Sequence, residues 1–207
     1  ANLKTISVSV DGIEADHNRL RNSPDAYQKT IAGLKRLLAD PFYEKLDVIC
    51  CVSRINIGRL DAFIAEMIQI GVPAVRFTPI FAHGRGGENS DLLLSNEQLK
   101  SLLTFIAEHR ETDDRIAVTL SEEGYYGPEW ECRIRDSQHY CGSGITIGTI
   151  LHDGRVTGCP SVSRELVEGS LHEHSFLNLW KNEFKSYRHN RKEMFDQQCS
   201  SCEHWIL

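Results

Sequence analysis

Five cysteines stand in the last third of the chain: Cys132, Cys141, Cys159, Cys199 and Cys202. Cys141 and Cys159 bracket Gly154 in a C-x12-G-x4-C arrangement, with the turn dipeptide Asp153-Gly154 between the two thiols. A hairpin folded at that dipeptide returns the chain, so that both sulfurs can reach one metal centre. Cys199-Ser-Ser-Cys202 adds a two-ligand knuckle. The chain has seven cysteines, an odd number, and no secretory pattern, so the cluster points to metal or iron–sulfur ligation before disulfides. A structural zinc and unligated buried thiols are the competing readings. Cys50 and Cys51 lie in the apolar run Asp47–Val52 and read as small hydrophobes.

A second group of polar residues sits at the head of the chain. Residues 3–11 alternate with period two, placing Ile6, Val8 and Val10 on one face and Ser7, Ser9 and Asp11 on the other. Ser9 and Asp11 at the C-terminal end of such a strand suit a polar ligand in a barrel mouth. An edge strand with one wet face accounts for them equally well. The glycines of Ala82-His83-Gly84-Arg85-Gly86-Gly87 are a poor phosphate loop, because no Lys-Ser/Thr follows. The nine histidines form no H-x3-H or H-E-x2-H pair backed by a carboxylate, and the sequence assigns no catalytic acid or base.

The elements that must position these residues begin as an alternation of strand and helix. After the first strand, Ser23-Pro24-Asp25 reads as a helix start, with Tyr27, Ile31, Leu34, Leu37 and Leu38 on one face. A second strand covers about residues 46–54. The helix behind it carries Leu60, Phe63, Ile64, Met67 and Ile68 and stops at Gly71. Pro73 to Pro79 is a third strand, and Ser95 with Gln98 forms a capping box before Leu99, Leu102, Leu103 and Ile106. A further strand lies at Arg115–Leu120. Three strand–helix units predict a parallel sheet with helices outside it, too few to close an eight-stranded barrel. The sheet is therefore open, or its first strands lie upstream of Ala1.

Beyond residue 121 the texture changes. The alternation Ile145–Leu151, the turn at His152-Asp153-Gly154 and Arg155-Val156 predict a hairpin, with short helices near 174–181 and 182–194. The fold class expected is α/β, with domains at 1–125 and 126–207. With 207 residues and a formal net charge of -6, and no Lys/Arg block, the chain is not expected to bind nucleic acid. No apolar run approaches the length of a bilayer span, so no membrane association and a cytoplasmic location are expected. The runs Glu122-Glu123 and Arg188–Lys192 read as solvated faces.

Together these motifs resemble those of radical S-adenosylmethionine (radical SAM) enzymes that carry a C-terminal SPASM domain housing auxiliary [4Fe-4S] clusters. That signature reads C-x9-15-G-x4-C, then C-x2-C-x5-C-x3-C and a final Cys; this chain supplies Cys141, Gly154, Cys159, Cys199 and Cys202 and stops at Leu207. Val8-Ser-Val-Asp-Gly12 with His17-Asn18 and Arg21 is similar to the family's fourth barrel strand, usually V-S-x-D-G with H-D-x-x-R. Arg76–Ile80 with Gly84-Arg85-Gly86 is similar to the sixth, and Gly169-Ser170-Leu171, Ser175 and Leu179-Trp180 to a SPASM stretch. Trp180 reads as packing.

The resemblance implies the second half of a partial (β/α)6 TIM-like barrel followed by a small Cys-rich SPASM-type domain of a β-hairpin and short helices. It implies S-adenosylmethionine at Ser9, Asp11, Arg21 and Asn56, with Ser9 on the ribose and Arg21 on the methionine carboxylate, and cluster ligation by Cys132, Cys141, Cys159, Cys199 and Cys202. Cys132 is carried over because relatives often have an extra ligand upstream of the first signature Cys. The C-x3-C-x2-C motif of the SAM-cleaving cluster is absent, so the chain reads as a C-terminal fragment, inactive alone. The implied parent generates a 5′-deoxyadenosyl radical to modify a peptide or protein, with flavodoxin or ferredoxin as a possible reductant. Pro160 after Cys159 counts against formylglycine formation, since sulfatase maturases carry an Asp base there. The alternatives are a zinc-stabilised non-catalytic binding module, or a radical SAM enzyme acting on a small molecule such as a haem precursor.

Overall fold

The computed structural model describes residues 4–40, 42–82, 84–121, 124–161 and 166–188, and the chain divides into two compact units, 1–140 and 141–207. In the first, strands β1 (Thr5–Ser9), β2 (Lys45–Val52), β3 (Ala74–Pro79) and β4 (Ala117–Leu120) form one parallel sheet in the order β1-β2-β3-β4. Between the strands run α1 (Glu14–Leu20) and α2 (Ala26–Leu38), α3 (Leu60–Ile70), and α4 (Arg85–Glu88) with α5 (Asn96–Thr112); α6 (Pro128–Ile134) follows β4. Strand order equal to chain order is the singly wound arrangement that strand–helix repeats produce when every connection crosses to the next strand.

Register explains why this sheet has two unlike faces. Val8, Val48, Val75 and Val118 stand in one lateral row, and Cys50, Phe77 and Leu120 in another. Their neighbours along each strand, Ser7 and Ser9, Asp47, Arg76 and Thr119, point the other way. The apolar face is covered by Leu34 of α2, Phe63 and Met67 of α3, and Leu102 and Ile106 of α5, all fully buried. Phe77 lies edge-on to Phe63 at 6.2 Å and to Phe105 at 5.8 Å, and truncating so enclosed a ring costs about 3–5 kcal/mol. Only Cys50 of the Cys pair behaves as a core residue; Cys51 is half-buried on the polar face, because adjacent strand residues cannot share a side.

Helix boundaries follow local chemistry. The Ser95–Gln98 capping box is present, with Gln98 N–H donating to Ser95 Oγ at 3.2 Å and Ser95 N–H to Gln98 Oε1 at 3.0 Å. α3 ends at Gly71 in the left-handed conformation, φ 88°. α2 departs from expectation: Ser23 does not cap it, and the helix begins at Ala26. Its first turn is held by Asn18, whose Oδ1 accepts from Tyr27 N–H at 2.8 Å while Nδ2 donates to Pro24 O at 2.7 Å. Asparagine makes both bonds, whereas the aspartate usual at this position in the resembled motif could only accept.

The second unit is built on β5 (Thr149–Ile150), β6 (Arg155–Thr157) and β7 (Val167–Ser170), an antiparallel sheet in chain order, with α7 (Phe176–Asn182) and α8 (Lys185–Arg188) behind it. The expected strand from Ile145 is shorter than its alternation suggested. Gly142 O accepts the N–H groups of Ile145, Thr146 and Ile147, which curls this stretch into a turn and leaves Ile145 and Ile147 exposed. The division between units falls after Tyr140 rather than near residue 125, because Ile134 is buried in the first core and α6 packs on α5 and β4. No helix among the described residues is long and apolar enough to cross a membrane.

Candidate functional site

The C-terminal ends of β1 and β2 are tied together by a buried network. The Asp11 carboxylate, 3 % exposed, accepts from Arg21 Nε at 2.7 Å and from Cys51 N–H at 3.1 Å. Asn56 donates through Nδ2 to Asp11 O at 3.0 Å and to Cys51 O at 2.8 Å, while its Oδ1 accepts from Ser53 N–H at 2.8 Å. Gly12 makes this closure possible. Its φ is +107°, and a Cβ there would stand 3.2 Å from the Cβ atoms of both Asn56 and Asp16. Asp16 in turn holds Arg59, through Nε at 2.9 Å and through Nη2.

His17 completes the cluster. It is buried, and its Nδ1 accepts Asp11 N–H at 3.0 Å, which fixes the ring proton on Nε2. Burial holds its pKa below the ordinary value; the nearby Asp11 carboxylate opposes that shift, and Arg21 adds to it. The 3.7 Å approach of His17 Nδ1 to Asp11 Oδ2 is therefore not an ion pair at neutral pH.

Of the four residues expected at the cofactor, two line a cleft. Ser9 is exposed at the end of β1 and shares a cleft of about 420 Å³ with Arg21, His17, Ser23, Lys29 and Thr30. Arg21 spends Nε on Asp11, and its side chain is 44 % exposed, so its terminal nitrogens stay accessible. A hydroxyl and an aimed guanidinium fit a ribose and a carboxylate. Asp11 aims that guanidinium from behind. Asn56 is brought beside Asp11, but its amide is consumed by backbone partners. His17 stands in the motif without an expected role, and no local pattern in the sequence signals the Asp16–Arg59 tie, whose partners are 43 residues apart.

In the second unit, Cys141 is exposed and Cys159 half-buried. Gly154 turns the hairpin at φ +80°, with Asp153 accepting from Arg155 N–H at 3.2 Å; its carboxyl is held down to about 2 by the Arg155 guanidinium. The loops carrying the two thiols meet through Gly158, whose Cβ, if present, would stand 2.8 Å from Gly144 N and 2.5 Å from Tyr187 Cε1. Tyr187 OH and Thr157 Oγ1 share a hydrogen bond of 2.8 Å, which holds α8 over this junction. Cys159 Sγ accepts from Ser161 N–H at 3.4 Å. Cys199 and Cys202 lie outside the described residues, and Cys132 is exposed on α6 of the first unit. Among the described residues no three His, Cys, Asp or Glu side chains are grouped to hold a metal ion. The two described thiols fit half of a four-thiolate set.

Residues 141–203 match the family model of the SPASM iron-sulfur cluster-binding domain. That domain follows the parallel α/β unit, and the similarities to known proteins run over nearly the whole chain. It is 21% identical over 221 residues to the AdoMet-dependent heme synthase of Methanosarcina barkeri (strain Fusaro / DSM 804), covering 99% of this chain and 61% of that protein. Among solved structures it is similar in fold to native anSMEcpe with bound AdoMet (TM-score 0.65, 13% identity). The same protein with AdoMet and the Kp18Cys peptide gives TM-score 0.62 at 13% identity. Each covers 96% of this chain and 56% of the solved chain, so this chain spans little more than half the length of its relatives.

Proposed function

We propose that this chain is the S-adenosylmethionine-binding and cluster-binding part of a radical SAM enzyme that modifies a peptide or protein. Its four parallel strands are the second half of a partial (β/α)6 barrel. The observation that carries this reading is the placing of Ser9 and Arg21 in one cleft at the C-terminal end of β1, with Arg21 aimed by the buried Asp11. Ser9 holds the ribose hydroxyls and Arg21 the methionine carboxylate. Asp11, Asn56, His17 and Gly12 keep the strand ends that carry them in place. Cys141, Cys159, Cys199 and Cys202 supply thiolates to the auxiliary [4Fe-4S] clusters, and the signature's remaining cysteines, absent from this chain, complete the ligand sets. Bound S-adenosylmethionine with its reduced cluster supplies hydrogen abstraction, while the protein orients substrate and excludes water. A flavodoxin or ferredoxin is the expected reductant. The curated relative supports a second reading, in which the substrate is a haem precursor. The match to an iron–sulfur rather than a zinc domain disfavours the non-catalytic zinc module.

Two measurements test this. Anaerobic reconstitution of the chain with iron and sulfide is expected to give acid-labile sulfide and visible absorption, both lost in Cys141→Ser with Cys159→Ser. Equilibrium dialysis is expected to show S-adenosylmethionine binding that Arg21→Ala weakens about tenfold or more, the loss of one charge-assisted pair. Zinc uptake without colour, or binding indifferent to Arg21, refutes the reading.

A further inference from the structure

A second cleft, of about 410 Å³, opens on the polar face of the sheet between β3, β4 and the segment after α6. Arg76 and Thr119 line it from the strands, Ser121 from just past β4, and Arg135, His139 and Tyr140 from the segment. Arg135 is unusual there. Its side chain is 7 % exposed, and its Nε–H is buried with no hydrogen-bond acceptor. The rest of the guanidinium is fixed from several sides. Nη1 meets His139 Nδ1 at 3.3 Å, Nη2 donates to Gly124 O at 3.2 Å, and the group lies 5.9 Å from the Tyr126 ring.

Its nearest carboxylate, Glu131, pairs with Nη2 at 3.5 Å while also accepting from Tyr126 N–H at 3.1 Å and His139 N–H at 2.7 Å, and it leaves Nε–H without an acceptor. Arg76 is fixed likewise: Nε pairs with Asp47, Nη2 donates to Ser7 Oγ at 2.8 Å, and Nη1 has no acceptor among the described residues. Asp136 also lines the cleft, but its side chain is 89 % exposed and is held outward by Arg110 Nη2 at 2.6 Å.

A buried guanidinium donor without an acceptor costs about 1–3 kcal/mol or more unless something fills it. Thr119 Oγ1 already donates to Ile134 O at 3.1 Å, so the donors left to the cleft are two guanidinium groups and the Ser121 hydroxyl, a set suited to an oxyanion. The cleft also has a fixed relation to the proposed cofactor position. Ser9, Ile49, Arg76 and Thr119 stand in one lateral row of the sheet. At about 4.8 Å per strand, Arg76 lies roughly 10 Å from Ser9 on the same face.

We propose that this cleft binds a carboxylate of the substrate, with Arg135 and Arg76 as its anchors, and that this anchor sets which part of the substrate reaches the reacting end of the cofactor. The assignment rests on the reading of Ser9 and Arg21 given above. The test uses the full chain, 13C,15N-labelled, with the arginine Nε–H signals assigned by through-bond correlation to the backbone of the wild-type chain. Glutarate is titrated against its neutral isostere glutaramide, and the peptide acetyl-Ala-Glu-Ala-amide against its Gln analogue. Glutarate or the Glu peptide is expected to shift the Arg135 Nε–H signal saturably, with the neutral partner inert, and Arg76→Gln should weaken the response about tenfold. A stronger response to the Glu peptide assigns the carboxylate to a peptide; a response to glutarate alone assigns it to a small acid.

Equal shifts with the neutral isosteres, no shift at all, or full binding in Arg76→Gln overturns the proposal. Wild-type titration and Arg76→Gln decide the matter even if Arg135 variants do not fold. S-adenosylmethionine binding measured on the same samples separates the two readings. Its presence without a carboxylate response removes only the anchor, and its absence removes both.

Discussion

Asn56 offers the sharpest separation of a positioning residue from a ligand-binding one. Resemblance places it at S-adenosylmethionine, but its amide makes three short bonds to backbone: to Asp11 O, to Cys51 O and from Ser53 N–H. Asn56→Ala removes all three and strands one donor and two acceptors. Asn56 is 1 % exposed, so bulk water does not reach these groups freely. At about 1 kcal/mol net per bond the loss is roughly 3 kcal/mol, and more where a stranded group stays dry. For a chain of this size that lowers the melting temperature by about 6–12 °C. Asn56→Asp should cost at least as much, since it turns a carboxylate oxygen toward two carbonyl oxygens. The assay is urea unfolding followed by circular dichroism, with S-adenosylmethionine affinity measured under native conditions. If Asn56→Ala unfolds within about 1 kcal/mol of wild type while affinity falls tenfold, the amide touches the ligand, and the positioning argument is refuted.

Two further outcomes follow from the same geometry. The His17 pKa is lowered in the folded chain from an ordinary 6.5, so above that pH neither state carries its proton and the residue is neutral to stability. As pH falls through 6.5 the unfolded chain takes up a proton that the folded one refuses. Stability then drops by up to about 1.4 kcal/mol per pH unit until the folded pKa is reached. Urea midpoints between pH 7.5 and 5.5 should show this slope, and His17→Gln should flatten it; an unchanged slope locates the proton elsewhere. In the second unit, Gly158→Ala drives a methyl into Tyr187 and toward Gly144 N, separating the loops that carry Cys141 and Cys159. Iron bound per chain after reconstitution should fall at least as far as in Cys159→Ser, and normal loading would show that the junction does not position the thiols.

The strands were legible because a parallel sheet covered on one face leaves a period-two record, as in Val8, Val48 and Val75 with polar neighbours. Capping chemistry was legible where it is local, at Ser95–Gln98 and Gly71. α1 left no such trace: its buried residues are Asp16 and His17, not an apolar stripe, and they are buried for their hydrogen bonds. α2 starts at Ala26 rather than behind a Ser23 cap for a related reason, since its cap, Asn18, is supplied from another helix. Ile145 and Ile147 looked like a strand because alternation cannot report a carbonyl that collects three N–H groups. For the candidate site, residue types were readable at Ser9 and Arg21, while the division between Arg21 as ligand group and Asn56 as clip depends on partners distant in sequence. Arg76 carried a readable signal, a charge between Val75 and Phe77 in an apolar strand, but Arg135 became notable only through its buried, acceptorless Nε–H.

The sheet register joins these observations. The alternation that sends the four valines into the core must send the residues beside them to the opposite face, so core packing fixes the lateral order of the polar face. Slipping β2 or β3 by one residue would turn Asp47 or Arg76 toward the core, at a cost comparable to the whole stability of a domain this size. The spacing between Ser9 and Arg76 is therefore held by the hydrophobic side of the sheet, not by the polar groups themselves. A strand spacing cannot stretch to suit a different substrate, whereas the Arg135–Tyr140 segment, outside the sheet, can change. Substrate choice in related chains should accordingly vary at positions 135–140 while the row Ser9, Ile49, Arg76, Thr119 keeps its geometry.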